Sequence, residues 1–232
     1  LEPNPETRPR FYGRRRGKKL RPGQLSRFQD LLPSLAIALP PPGQRLDPFS
    51  LFASRPSAIW LEVGFGAGEH ASAQALANPG IGLIASEVFM NGIGGLLAKI
   101  ESAKIGNIRL FPEDVRQLMP VLPEASIEKI FVLFPDPWPK KRHAERRFIG
   151  MENLPELARL LTDGGELRIA SDHPVYIEWA REQMAACKDF ALTLDVRSRP
   201  DGWPPTRYES KALAQGTPCV YMAFRRLDRS AS

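Results

Sequence analysis

From residue 58 onward, short apolar runs alternate with longer segments whose apolar positions recur every three or four residues. The first pattern predicts strands buried on both faces, and the second predicts amphipathic helices. Strands are expected over 58–63, 81–86, 107–111, 129–134 and 166–171. Helices are expected over 69–77, 89–104, around 115–119, 149–161 and 175–187. Asn78-Pro-Gly80 stops one helix, and Thr162-Asp-Gly-Gly165 reads as a turn. Two further strands, 190–197 and 220–225, have no full crossover helix between them. Five βα units followed by a hairpin-like pair predict an α/β fold. Its sheet is doubly wound, mostly parallel and seven-stranded, with the last strand antiparallel. No repeat at a fixed period is present.

The segment before this pattern is different. Pro33, Pro40, Pro41, Pro42, Pro48 and Pro56 predict a connector with at most a helical turn, so the folded domain is expected over 58–232 and an arm with its connector over 1–57. Residues 1–30 hold nine basic side chains (Arg8, Arg10, Arg14, Arg15, Arg16, Lys18, Lys19, Arg21 and Arg27) against Glu2, Glu6 and Asp30. That excess of six equals the net charge of the whole chain, and the other 202 residues carry 23 bases and 23 acids. The picture is a flexible basic arm, with Phe11-Tyr12 among its charges, on a neutral globule. Such an arm binds phosphate backbones or serves as a solubilising tail. No run of 18 apolar residues spans a membrane, and the basic start lacks the apolar stretch of a secretory signal. Cys187 and Cys219 are too widely spaced for a metal knuckle, and His143 has no second histidine or cysteine nearby, so neither a metal nor a disulfide framework is expected. A reducing cytoplasm is the expected compartment.

Two landmarks carry chemistry. The strand over 58–63 runs into Gly64-Phe-Gly-Ala-Gly68 and then a helix start, an arrangement in which backbone approaches a ligand closely and the helix dipole faces it. A dinucleotide fingerprint requires a small residue at the sixth position from Gly64, where this chain has Glu69. The turn therefore suits S-adenosylmethionine, which has no phosphate to cradle. The second landmark is 131–148. A buried strand is broken by Pro135, Pro137 and Pro139, which frame Asp136 and Trp138, and Lys140, Lys141, Arg142, Arg146 and Arg147 follow with Glu145 as their single acid. An acid and a flat ring beside dense positive charge point to chemistry on nucleic acid.

In doubly wound sheets ligands sit beyond the carboxyl ends of the strands. Glu62, Glu87, Asp114, Asp136 and Asp172 fall at five such ends, as if to converge on one cleft. Each has a bland alternative. Glu87, about 20 residues past the glycine turn, holds ribose hydroxyls or caps the next helix. Asp114 accepts from the adenine amine or caps its own helix. Glu62 orients the amino end of the cofactor or the loop. Asp172 contacts substrate or starts the helix at Pro174, and Thr206-Arg-Tyr-Glu209 has the form of a capping box. Trp138 stacks on a base or wedges its turn.

Glu62 to Gly68, Phe134-Pro-Asp-Pro-Trp138 with Lys140 and its basic run, Ser171-Asp172 and Thr206 to Glu209 together resemble the bacterial tRNA (guanine-N7)-methyltransferases, over roughly residues 10–225. The resemblance implies the class I S-adenosylmethionine-dependent fold and methyl transfer to N7 of a guanine in the variable loop of tRNA. It implies cofactor contacts at Glu62, Gly64, Gly66, Gly68, Glu87, Asp114 and Asp136, with Asp136 also the catalytic acid. Lys140, Asp172, Thr206, Arg207, Tyr208 and Glu209 match substrate positions, and Arg142, His143, Arg146 and Arg147 lie in the RNA-contacting segment. Pro139 is a departure, since some relatives carry histidine there. No obligatory protein partner is implied, whether the enzyme is a monomer or a homodimer. Two other readings stay open: methylation of an exocyclic amine, and a tRNA-binding module without catalysis.

Overall fold

The computed structural model describes residues 12–229, so Arg8, Arg10 and Phe11 of the basic arm lie outside the described residues. Residue contacts group into two compact units, the first ending at Pro123 and the second beginning at Glu124. Among the described residues, three strands lie in the first unit and four in the second.

In the first unit, β1 (Ile59–Val63), β2 (Gly82–Ser86) and β3 (Ile108–Phe111) are parallel, with Ile59 opposite Gly82 and Leu83 opposite Ile108. Every residue of β2 is buried, as expected of a strand covered on both faces. Helices α3 (Glu69–Ala77), α4 (Met90–Ala103) and α5 (Val115–Leu118) follow the strands in turn. Two earlier helices, α1 (Pro22–Asp30) and α2 (Leu32–Leu35), precede the sheet. The sequence pattern predicts a flexible arm through residue 30, and the structure differs there. Arg27 pairs with Glu101 on α4 at 2.7 Å, and the absent side chain of Gly94 leaves room for Gln24 and Phe28. The helix is specified by its fit to α4, which the composition of the arm does not reveal. The connector then protects the edge of β3, where the Ile37 amide donates to the Leu110 carbonyl at 2.7 Å.

In the second unit, β4 (Ile127–Leu133) and β5 (Leu161–Ser171) are parallel, and β7 (Val220–Arg226) is antiparallel both to β5 and to β6 (Phe190–Val196). The expectation of an antiparallel last strand holds. Two local expectations do not. Helix α6 runs only over Leu154–Leu160, because Pro155 sets its first turn and residues 149–153 form turns. Thr162 to Gly165 belong to β5 as an irregularity in its pairing, with Gly164 at φ 76° and Gly165 so close to the Thr162 and Glu128 carbonyls that a Cβ would approach within 3 Å. Helix α7 (Pro174–Ala186) is as expected, and between the antiparallel β6 and β7 stands no crossover helix but the eight-residue α8 (Arg207–Ala214). No helix of the described residues is long and apolar enough to cross a membrane.

One side chain ties the end of α3 to the strands beside it. The Asn107 amide nitrogen donates to the carbonyls of Ala75, Asn78 and Ile81, each at 3.1 Å. Replacing Asn107 with Ala leaves these half-buried acceptors without that donor, and about 1–3 kcal/mol of stability should be lost in a urea melt. An unchanged midpoint would show that water serves them equally well.

Candidate active site

Backbone geometry explains the glycine turn. Gly64, Gly66 and Gly68 have φ values of 71°, 58° and 79°, a region that residues with a Cβ rarely adopt. Beyond Gly64 nothing lies within 4 Å of where a Cβ would be, so the backbone there is open to a ligand. On the other side the turn is packed tightly. A Cβ on Gly92 would stand 2.2 Å from the Gly66 carbonyl oxygen, and one on Gly68 would strike Leu96 at 2.7 Å. Helix α4 thus forms the mould for the turn.

Glu87 connects this turn to the next loop. Its Oε2 accepts from the Gly66 amide at 2.9 Å, and its Oε1 accepts from Val88 and Phe89 at 2.8 and 2.9 Å. Glu87 thus does not cap α4, whose N-cap is Phe89; it holds the loop before the helix and bridges it to the glycine turn, which the sequence did not suggest. Asp114 does cap its helix: it accepts from the Arg116 amide at 3.0 Å, and the Arg116 guanidinium grips the same carboxylate, Nη2 to Oδ2 at 2.6 Å. Beside it, Glu113 pairs with Arg15 of the arm at 2.8 Å. Glu62 is buried against His70, Oε2 to Nδ1 at 2.8 Å. That histidine was not among the candidates, although its place in the first turn of α3, next to a strand-end acid, is visible in the sequence.

The second unit holds the other candidates. After β4 the chain enters the proline-framed loop, with Phe134 and Trp138 at φ 49° and 41°. Positive φ in two bulky side chains marks a loop held by its surroundings. Asp136 is exposed between its prolines, and Lys140, Lys141 and Arg142 are exposed beyond it. Trp138 meets His143 edge-on at 5.8 Å, while the Arg146 guanidinium covers its ring at 5.0 Å. Partial burial and then the charges of Arg146, Arg142 and Lys140 push the His143 pKa down, against the opposing charge of Glu145.

Arg147 is a correction to the expected RNA-contacting set. It is buried, its Nε and Nη2 donate to the carbonyls of Pro137 and Trp138 at 3.0 and 2.9 Å, and its guanidinium lies 4.8 Å from the Trp179 ring. All of its directional contacts serve the loop. Helix α7 holds the exit of the same segment: the Ile149 amide donates to the Tyr176 hydroxyl at 3.3 Å, and the Trp179 indole donates to the Ile149 carbonyl at 2.5 Å. Burial raises the Tyr176 pKa and keeps this hydroxyl protonated.

Asp172 is half-buried, and it is His173, not Asp172, that caps α7 by accepting from the Val175 amide at 3.3 Å. The Thr206–Glu209 motif is the capping box its spacing suggested. The Glu209 amide donates to Thr206 Oγ1 at 3.0 Å, and the Thr206 amide donates to Glu209 Oε2 at 3.1 Å. The other Glu209 oxygen accepts from the Tyr221 hydroxyl at 2.5 Å and pairs with Arg199 at 3.0 Å. Glu209 is only 2% exposed, and its contacts in this structure are internal. Thr206 remains half-buried, and Arg207 and Tyr208 are exposed on the turn it holds. Asp172 and Glu209 flank Cys219, whose pKa rises through burial first and then through these two charges. Tyr221 and Arg199 were not foreseen, because only the tertiary fold brings them to Glu209. Among the described residues no group of His, Cys, Asp and Glu is placed to hold a metal ion.

A doubly wound sheet with a bare glycine turn after β1 and an acid after β2 has the form of a class I S-adenosylmethionine-dependent methyltransferase. Residues 56–222 match the family described as "Putative methyltransferase". Over 223 residues the chain is 51% identical to the tRNA (guanine-N(7)-)-methyltransferase of Paramagnetospirillum magneticum, covering 94% of each chain. It is 50% identical to the enzyme of the same name from Rhodospirillum rubrum, covering 96% of this chain and 89% of that one. A Streptococcus mutans protein solved with S-adenosylhomocysteine shares the fold at a TM-score of 0.52 and 12% identity, over 74% of this chain and 90% of its own. The chain belongs to the tRNA (guanine-N7)-methyltransferase family.

The basic segment yields a test by contrast. Arg147→Ala should cost about 1–3 kcal/mol of stability, since two loop carbonyls lose their charged donor. Arg142→Ala should leave the melt unchanged and lower the slope of log K for tRNA against log salt by about 0.7–0.9. The reverse pattern in thermal melts and salt titrations would exchange their roles.

Proposed function

We propose that this protein transfers a methyl group from S-adenosylmethionine to N7 of a guanine in the variable loop of tRNA, giving 7-methylguanosine. The observation that carries the mechanism is Asp136, an exposed carboxylate in a loop fixed by three prolines and by Arg147. The left-handed glycine turn, open beyond Gly64 and bridged to Glu87, fits an adenosyl ligand that presents hydroxyls and no phosphate. Glu62, Glu87 and Asp114 would hold it, with the Gly64, Gly66 and Gly68 backbone alongside. When bound, the cofactor supplies a methyl group already activated on a sulfonium.

Guanine N7 has a free lone pair and no proton, so no side chain needs to act as a base before attack. Positive charge moves onto the purine during transfer, and the fixed Asp136 carboxylate stabilises it there while keeping the base in line. Asp172 accepts from the guanine Watson–Crick edge, and Lys140 with Thr206, Arg207 and Tyr208 completes the substrate contacts. Glu209 acts through them by fixing their turn. The base is reached outside its local stack. Arg142 and Arg146, with the basic residues of the arm, meet the tRNA backbone, and His143 contributes hydrogen bonding. Residues 58–232 perform the transfer and 1–57 extend the RNA surface. The enzyme works in the cytoplasm without an obligatory protein partner, as a monomer or a homodimer.

Asp136→Asn keeps the shape of the side chain and removes its charge. Its single-turnover rate should fall by about 10²–10³, with melting temperature and tRNA affinity nearly unchanged. A near-normal rate would return Asp136 to a purely structural place in the turn.

A further inference from the structure

Behind the glycine turn, a buried chain of side chains ends on Glu62. Glu62 and His70 are 3% and 2% exposed, and Gln74 is 3% exposed. His70 Nδ1 lies 2.8 Å from Glu62 Oε2, and His70 Nε2 lies 3.3 Å from the Gln74 amide nitrogen. The direction of this chain is fixed from its far end. Asn78 Nδ2 donates to the Gln74 side-chain oxygen at 3.2 Å, which turns the Gln74 NH₂ toward the imidazole. His70 Nε2 is then the acceptor, and Nδ1 carries the proton that is donated to Glu62. The Asn78 side chain is itself held, donating to the Gln74 backbone carbonyl at 2.8 Å.

An imidazole that donates from Nδ1 fixes the orientation of the carboxylate it meets. That suits an acid that must meet a cation. We propose that His70 is a positioning residue for the amino-acid end of the methyl donor. By donating Nδ1–H to Glu62, it orients the carboxylate that receives the donor's α-ammonium group. The proposal rests on the reading of Glu62 as a cofactor acid. It goes beyond that reading because it assigns the selectivity for the tail to a histidine that need not touch the cofactor.

Two ligands separate the roles. S-adenosylhomocysteine carries the α-ammonium group, and 5′-methylthioadenosine has the same adenosyl thioether without the amino-acid tail. Calorimetric titrations of the full chain should show His70→Leu binding S-adenosylhomocysteine about tenfold more weakly or worse, the scale of a lost charge-assisted hydrogen bond. Affinity for 5′-methylthioadenosine should stay within about twofold. His70→Asn, whose amide nitrogen can replace Nδ1, should recover most of the loss. In a Glu62→Gln background, His70→Leu should add little further loss, since the two act as one unit. Should His70→Leu fail to fold, Gln74→Met removes the group that sets the tautomer and should give the same selective loss, about threefold. Equal weakening of both ligands in the folded variants would make the pair a structural support of the turn and overturn the proposal. Full S-adenosylhomocysteine affinity in His70→Leu, with loss in Glu62→Gln, would overturn the role of His70 alone. Unchanged affinity in Glu62→Gln would remove the cofactor reading of Glu62 and the proposal with it.

Discussion

Backbone amides left unpaired where parallel strands end must find acceptors, and in the first unit three of them converge on the carboxylate of Glu87. Gly66, Val88 and Phe89 come from two successive loops, so one side chain sets the distance between the glycine turn and the start of α4. The mould behind the turn depends on that distance. With the Gly66 carbonyl packed where a Gly92 side chain would be, the turn cannot move toward α4 and cannot be relaxed by a Cβ on either partner. Positive φ at Gly64, Gly66 and Gly68 follows from these constraints.

The same device recurs in the second unit with different chemistry. There the loop after β4 lacks glycine, and its form is held by prolines and by a buried guanidinium. Arg147 takes the carbonyls of Pro137 and Trp138, while α7 fixes Ile149 through Tyr176 and Trp179. A loop anchored at both ends can expose Asp136 and Lys140 without giving them freedom to wander, which is what electrostatic stabilisation of a developing charge requires. The positive φ of Phe134 and Trp138 is the local strain that this anchoring sustains.

The sequence made the strands legible because strands buried on both faces leave continuous apolar runs, and helix α3 was legible to the residue because glycine and Asn-Pro-Gly bound it. It misled where one residue type serves two structures. Thr162-Asp-Gly-Gly165 has turn composition, yet its glycines allow an irregular pairing inside β5. Helix α1 was hidden by the charge of the arm, since the partners that specify it, Gly94 and Glu101, are some 70 residues away. The candidate acids were legible by position at strand ends. The partners of Glu209 in α8 were not, because Tyr221 and Arg199 reach it only through tertiary packing.

Capping and ligand binding were weighed as rivals for these acids, and motif alone does not decide between them. Glu209 accepts from Thr206 and Tyr221 and pairs with Arg199 while almost fully buried. Glu87 bonds loop amides and remains half-exposed, and it ties together the backbone a cofactor would approach. Asp136 has neither burial nor a capping bond among the described contacts, and the rigidity it needs comes from its neighbours. An acid can serve chemistry in this fold when its orientation is fixed by others and its carboxylate can be reached by a ligand. Glu62 satisfies the first condition through His70, and whether its carboxylate reaches a ligand is decided by ligands with and without a cation to offer.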